Sequence, residues 1–297
     1  MKKISFFLAI AAVLLIVMGS CKQEDRKLVR YTMSDSVSEA EAGLLYELVW
    51  EDGMLKELHH SNPSKIERPE FEDFDAVFNY TLEYGYENGV LKSLNGNKYR
   101  SELTFEGEKL VRIDQYSKEG GVHAYSMVLD YGEANKVKAT YYSMEKDAIR
   151  WLECTLYPRN DSTGTRVSME MPEDTTLHVF AEAEYEYENG NLVCAKLSYV
   201  EGMMIESRME YDNKINPFYG IYCHFDKMDL LAIESAYAFN ELGLSKNNLT
   251  KVTSRSNVEG VADGQELVIE FSYEYDGEYP MTQKCAQNSG VCHYEYR

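Results

Sequence analysis

One short phrase returns along this chain: an aromatic residue, one or two acids, a turn pair and then apolar residues. It reads YEYENGNLV at Tyr185–Val193, WEDGML at Trp50–Leu55 and YENGVL at Tyr86–Leu91. It returns as FEGEKL at Phe105–Leu110, YDNKI at Tyr211–Ile215 and YEYDGEY at Tyr273–Tyr279. Asn-Gly and Asp-Gly bend a chain sharply because both residues tolerate positive φ, and the alternation around them has the two-residue period of a strand. The repeat therefore predicts antiparallel hairpins, each with one tyrosine-rich face and one charged face.

The choice of buried side chains predicts a register. A three-residue loop, Glu188, Asn189 and Gly190, places Tyr187 opposite Asn191, Tyr185 opposite Val193, Ala183 opposite Ala195 and Ala181 opposite Leu197. It also sets Glu182 against Lys196 on the outer face, whereas a plain two-residue loop mixes the faces. The same rule pairs Tyr86 with Val90, Tyr84 with Lys92 and Leu82 with Leu94, and pairs Trp50 with Met54, Leu48 with Lys56 and Tyr46 with Leu58.

Alternation continues in AYSMVLDY (Ala124–Tyr131), KVKATYYS (Lys136–Ser143), IRWLECTLY (Ile149–Tyr157), TLHVFAEAEYEY (Thr176–Tyr187) and QELVIEFSYEY (Gln265–Tyr275). Such runs predict long strands, and a long open meander leaves two exposed edges. The expected fold is all-β: an antiparallel up-and-down meander, closed or nearly closed into a barrel. Most strands carry Glu, Lys, Ser or Thr on one face, so the barrel is expected to be soluble and not membrane-spanning. Residues 62–72, with Pro63 and Pro69, read as a loop. MDLLAIESAYAFNELGL (Met228–Leu244) is the best helical segment, with Leu230, Ile233 and Tyr237 on one stripe.

The N-terminus has Lys2 and Lys3, an apolar run to Met18, and Gly19-Ser20-Cys21. That order is a secretory signal. Its end resembles the lipobox of bacterial lipoproteins, which implies cleavage of residues 1–20, acylation of Cys21 and a chain held on a membrane without crossing it. Residues 21–43 read as a lipidated flexible tether and residues 44–297 as the barrel domain. Glu24 and Asp25 resemble the acidic signal for surface display in Bacteroidetes lipoproteins; the expected place is the outer membrane, surface-exposed or facing the periplasm.

The chain has 50 acidic against 30 basic residues, a formal charge of −20 that becomes more negative once the signal is removed. Such a surface repels nucleic acid and anionic headgroups. Besides Cys21 there are Cys154, Cys194, Cys223, Cys285 and Cys292. Cys285 and Cys292 flank AQNSGV, which suits a hairpin turn, so an exported compartment permits a bridge between them; buried free thiols are the other reading.

DNKINPFYGIY (Asp212–Tyr222), LSKNNLTKV (Leu244–Val252) and FSYEYDGEYPMTQK (Phe271–Lys284) occur in that order. With Cys21, they resemble a family of uncharacterised Bacteroidetes lipoproteins carrying a domain of unknown function with a porin-like β fold. The resemblance implies a porin-like barrel and transfers no catalytic residue.

No CxxC, HExxH, GxSxG or phosphate-loop pattern occurs, so no metal, cofactor or catalytic residue is assigned. Adjacent His59 and His60 point to opposite faces of a strand and cannot share a metal without a bend. Paired carboxylates for glycoside chemistry are too numerous to rank from sequence. The candidate ligand-facing aromatics are Tyr185, Tyr187, Phe218 and Tyr219, the last two in NPFYG, which reads as either a core plug or a lip at a barrel mouth. The expected role is a non-catalytic, lipid-anchored envelope protein that binds or presents an oligosaccharide, a peptide or a partner protein. The alternatives are a periplasmic carrier of a hydrophobic ligand and a structural component of an envelope complex.

Overall fold

The computed structural model describes residues 26–35, 43–61, 80–97, 99–118, 120–143, 176–199, 202, 204–221, 243–257, 266–287 and 290–297. The expectations for the signal, Cys21, Glu24, Asp25, Cys154, Cys223, residues 62–72 and 149–157, and the helix from Met228 to 242 lie outside these residues.

The strands are β1 (Leu28–Asp35), β2 (Gly43–Glu51), β3 (Met54–His60), β4 (Tyr80–Glu87), β5 (Val90–Asn95) and β6 (Tyr99–Glu106). They continue as β7 (Lys109–Ser117), β8 (His123–Asp130), β9 (Lys136–Ser143), β10 (His178–Glu188) and β11 (Asn191–Tyr199). The last are β12 (Met204–Ile215), β13 (Asn247–Ser256), β14 (Leu267–Asp276), β15 (Tyr279–Cys285) and β16 (Gly290–Tyr296). Each pairs with its neighbours in sequence, and β1 pairs antiparallel with β16, so the sheet closes into an up-and-down barrel as the alternation predicts. Closure removes both edges, which an open meander would leave free for other chains.

Closure corrects the domain boundary. Residues 28–35, read from sequence as tether, form β1 and complete the barrel, with Tyr31 opposite Tyr294 on one side and Tyr46 on the other. Lys27 and Arg297 exchange backbone hydrogen bonds of 3.1 Å, tying the start of β1 to the end of β16.

The hairpins correct the register. Asn189 and Gly190 form a two-residue turn with φ of 52° and 84°, and Glu188 pairs with Asn191. Positive φ at both positions is the type I′ geometry, whose twist matches the strands. A bulge at Val193 then restores the faces: Tyr187 meets Leu192, Tyr185 meets Ala195 and Ala183 meets Leu197. The same device recurs at Asp52-Gly53 with bulged Lys56 and at Asn88-Gly89 with bulged Lys92. Gly107 and Gly277, with φ of 62° and 64°, start the turns followed by bulged Val111 and Met281. Beyond the bulge this keeps the inward and outward sets of a three-residue loop while shifting each pair by two places; before it, Leu192, Leu55 and Leu91 face the aromatic where the three-residue loop would put Asn191, Met54 and Val90. The YDNKI phrase does not turn the chain: β12 runs through it to Ile215.

In each of these hairpins the aromatic residue two places before the turn meets an apolar partner, as Trp50 with Leu55, Tyr86 with Leu91, Phe105 with Leu110 and Tyr275 with Pro280. The rings make a half-buried collar at the end of the barrel where these turns, Lys27 and Arg297 lie. Cations cap it in sequence: Lys27 lies 4.8 Å from the Trp50 ring, Lys56 5.6 Å from Tyr86, Lys92 5.9 Å from Phe105 and Lys109 4.9 Å from Tyr131. Each bulged lysine thus reaches the aromatic of the following hairpin.

Part of the interior is filled. The turn after β12 folds inward, and Phe218, fully buried, meets Tyr31 at 5.3 Å, Tyr46 at 6.0 Å and Tyr294 at 6.3 Å between ring centroids. The Tyr31 and Tyr294 hydroxyls both donate to Gln283 Oε1, at 2.8 and 3.0 Å, so the aromatic body is buried without orphaning these polar tips. Barrels of this strand number otherwise enclose an aqueous channel. Outward positions carry ion pairs instead, among them Arg30 with Glu47 and Glu295, Lys136 with Glu184 and Glu186, and Lys251 with Glu210.

Cys285 and Cys292 are buried free thiols. Both belong to the β15–β16 pair, but Cys292 stands opposite Gln283, leaving Cys285 two places along the neighbouring strand. Such diagonal neighbours have Cβ atoms about 7 Å apart, beyond the roughly 4 Å that a disulfide spans. Of the two readings, buried free thiols is the one the structure takes.

Candidate functional site

A cavity of about 590 Å³ opens at the collar end, between β7 to β10 and the inward turn. Its deep wall is apolar: Leu110 from β7, Met127 and Leu129 from β8, Val137 from β9, and Leu244 beside the turn. Tyr131, Tyr141, Tyr185, Tyr187 and Tyr219 add ring faces, and Glu108, Lys109, Glu133 and Lys136 stand at its rim. Alternation explains this lining, since Met127 opposes Tyr141 and Val137 opposes Tyr185 on the inward face.

The tyrosines differ in how they are satisfied. Tyr141 and Tyr185 share a short hydroxyl–hydroxyl hydrogen bond deep in the cavity. Burial pushes the Tyr185 phenol up to about 12, against the opposing effect of that bond, and burial raises Tyr141 well above its usual value. Both are neutral hydroxyls at any physiological pH. Tyr131 donates to the Leu110 carbonyl at 2.8 Å and carries Lys109 over its ring. The Tyr187 phenol is also raised by burial, and its hydroxyl makes no hydrogen bond to the described residues.

Two backbone features hold this mouth. Tyr187 N donates to Asn135 O at 2.8 Å, joining β10 to the turn between β8 and β9. The inward turn is fastened by Asn216, which accepts from Phe218 N at 3.0 Å and donates to Ser245 O at 2.9 Å. Ser245 in turn accepts from Leu192 N and donates to the Tyr211 hydroxyl, whose own proton goes to Leu192 O at 2.7 Å. The buried polar groups of this segment are thereby paired.

Of the four aromatics chosen from sequence, Tyr185, Tyr187 and Tyr219 line the cavity, and Phe218 instead plugs the core. Phe218 takes the plug position of NPFYG, and Tyr219 stands at the cavity. Tyr131 and Tyr141 were not singled out, because their inward placement depends on β8 and β9 pairing.

The outer face holds a constellation that no sequence motif announces. Asp114 Oδ1 lies 3.0 Å from His123 Nε2 and accepts from Ser126 Oγ at 2.5 Å, while Ser126 Oγ lies 2.9 Å from the same histidine nitrogen. Arg112 clamps the carboxylate at 2.6 and 2.7 Å. Burial pushes the Asp114 carboxyl up, but the bonds from Arg112 and Ser126 outweigh it and hold the group below its usual range. A proton relay needs the two histidine nitrogens to serve different partners. Here one nitrogen faces both, and Ser126 is only 1% exposed, so the cluster is a cross-strand clamp. His59 bonds outward to Thr81, and His60 stacks inward on Tyr80 at 4.7 Å, on opposite faces as expected. Among the described residues no group of three or more metal-ligating side chains converges.

No family model matches the chain, and no curated protein matches it. Among solved structures it is similar to a porin-like protein from Bacteroides vulgatus, with a TM-score of 0.42 and 11% identity over 92% of this chain and 99% of that one. A porin-like protein from Bacteroides uniformis gives a TM-score of 0.36 and 10% identity over 91% and 98%. At such identities no residue's role is carried over.

Proposed function

We propose that this chain is a lipid-anchored protein of the cell envelope whose barrel holds a ligand in the tyrosine-lined cavity without transforming it. The observation that carries the reading is the convergence of Tyr185, Tyr187 and Tyr219 on one half-open cavity with an apolar floor and a polar rim. The small-small-Cys21 end of the N-terminal apolar run supports the anchor. The outward ion pairs support a barrel standing in water, because a lipid-facing face needs an apolar band about 25 Å tall.

The test is native mass spectrometry of the purified chain, followed by thermal-shift screening with glycans, peptides and amphiphiles. A bound mass or a stabilising ligand is expected, and Leu129→Trp, which fills the cavity, should abolish it. Turnover of a bound substrate that disappears when one carboxylate pair is neutralised would overturn the non-catalytic reading.

A further inference from the structure

We infer that the cavity takes a single-chain amphiphile, with its apolar chain inside and its polar head at the collar. The inference rests on the ligand-binding reading above and names the ligand class.

Three observations lead to it. The first is a polarity gradient. The floor is Leu110, Met127, Leu129 and Val137, and the deepest hydroxyls, on Tyr141 and Tyr185, satisfy each other. A sugar would find few free polar partners there, and buried hydroxyls without partners are costly. An apolar chain needs none.

The second is the rim, which presents both signs of charge. Lys136 is taken up by Glu184 and Glu186 at 3.2 and 3.1 Å, and Glu133 by Lys138 at 3.4 Å. Lys109 has only the Tyr131 ring beneath it, and Glu108 beside it forms no ion pair among the described residues. Adjacent charges of both signs can meet an acidic or a zwitterionic head, so the chain, more than the head, sets affinity.

The third is position. Arg26 is bound to Asp276 at 2.7 Å on the turn between β14 and β15, and Lys27 lies on Trp50, so the N-terminal approach is fastened to the end where the cavity opens. Four residues lie between Cys21 and Arg26, and the five residue steps span at most about 18 Å when extended. With Cys21 acylated, Arg26 lies within that reach of the leaflet, where amphiphiles are concentrated, and the cavity opens at the same end of the barrel.

The experiment uses the Cys21→Ala chain, purified without detergent, and titrates it with a saturated fatty-acid series and a lysophosphatidylethanolamine series. One ligand per chain is expected, with affinity rising about fourfold for each added methylene until the cavity is full. Leu129→Trp should lose binding while keeping the wild-type circular dichroism, and Tyr219→Ala at the lip is a second variant should that fold fail, with binding weakened about tenfold. Affinity independent of chain length, or unaffected by both variants, overturns the amphiphile assignment. Binding of an oligosaccharide blocked by Leu129→Trp, with no amphiphile bound, also overturns it but leaves the ligand-binding reading standing. A folded chain that binds neither class overturns both.

Discussion

Gly243 and Phe218 are held face to face at the base of the inward turn: a methyl group added at Gly243 would strike the Phe218 carbonyl oxygen and lie 2.5 Å from that of Ile221. Gly243 has φ of 67° and accepts a 3.0 Å hydrogen bond from Gly220 N. Both the left-handed backbone and the close approach require glycine here. Gly243→Ala is expected to destabilise the barrel by about 2 kcal/mol or more, the left-handed penalty alone being about 1 to 2. Gly107→Ala, at φ 62° with open space around it, should cost only that penalty. Urea denaturation of the two variants side by side checks the difference.

Phe218 packs inside the barrel against β1, β2 and β16, so its loss leaves a cavity beside Tyr31, Tyr46 and Tyr294. Phe218→Ala should cost about 3 to 5 kcal/mol. Near-ultraviolet circular dichroism should weaken as the neighbouring tyrosines lose their fixed packing, while the far-ultraviolet strand signal persists if the chain stays folded.

Asp114 should make stability depend on acid. Its carboxyl pKa is lowered in the folded chain, so its contribution is fully present above the unfolded value near 3.9 and is lost as pH falls through the lower folded value. Asp114→Asn should destabilise the protein by about 1 to 3 kcal/mol at neutral pH and flatten the acid limb. Urea midpoints measured from pH 7 down to pH 2 check both the sign and the window.

Cys285 and Cys292 should behave as protected thiols. At 5% and 3% exposed, both are shielded from a thiol reagent until the barrel opens. Alkylation followed by intact-mass measurement should label neither in buffer and both in denaturant without reductant. A mass indicating a bridge between them would require the strands to shift by two places.

The anchor has its own test. Cys21→Ala should release the protein from the membrane fraction, and proteinase added to intact cells should reach the wild-type barrel if Glu24 and Asp25 direct surface display. Protection until the outer membrane is broken would place the barrel inside the envelope and remove that role from the acidic pair.

Much of the architecture is legible in local pattern. The runs at 124–131 and 136–143 appear as β8 and β9 within a residue or two of their expected ends, because period-two alternation is set by neighbouring side chains. The inward set was legible too, since Tyr185, Ala183 and Ala181 keep one face under either turn geometry. The register was not. Beyond the bulge, a type I′ turn with a bulge and a three-residue loop sort side chains to the same faces, and only the hydrogen-bond ladder separates them.

What the sequence determined by itself, then, is the period, the turns and the aromatic two places before each turn, all properties of residues within one hairpin. What tertiary structure decided is everything that needs distant strands to meet. β1 reads as tether because the stretch around it is rich in Ser, Glu and Asp; its partner β16 lies at the other end of the chain, so closure is a long-range pairing that no local pattern encodes. The cavity is of the same kind: Tyr219 reaches Tyr131 and Tyr187 only once the barrel has closed and the turn after β12 has folded into it. Local sterics choose the strand, and burial of one shared interior chooses which strands face one another.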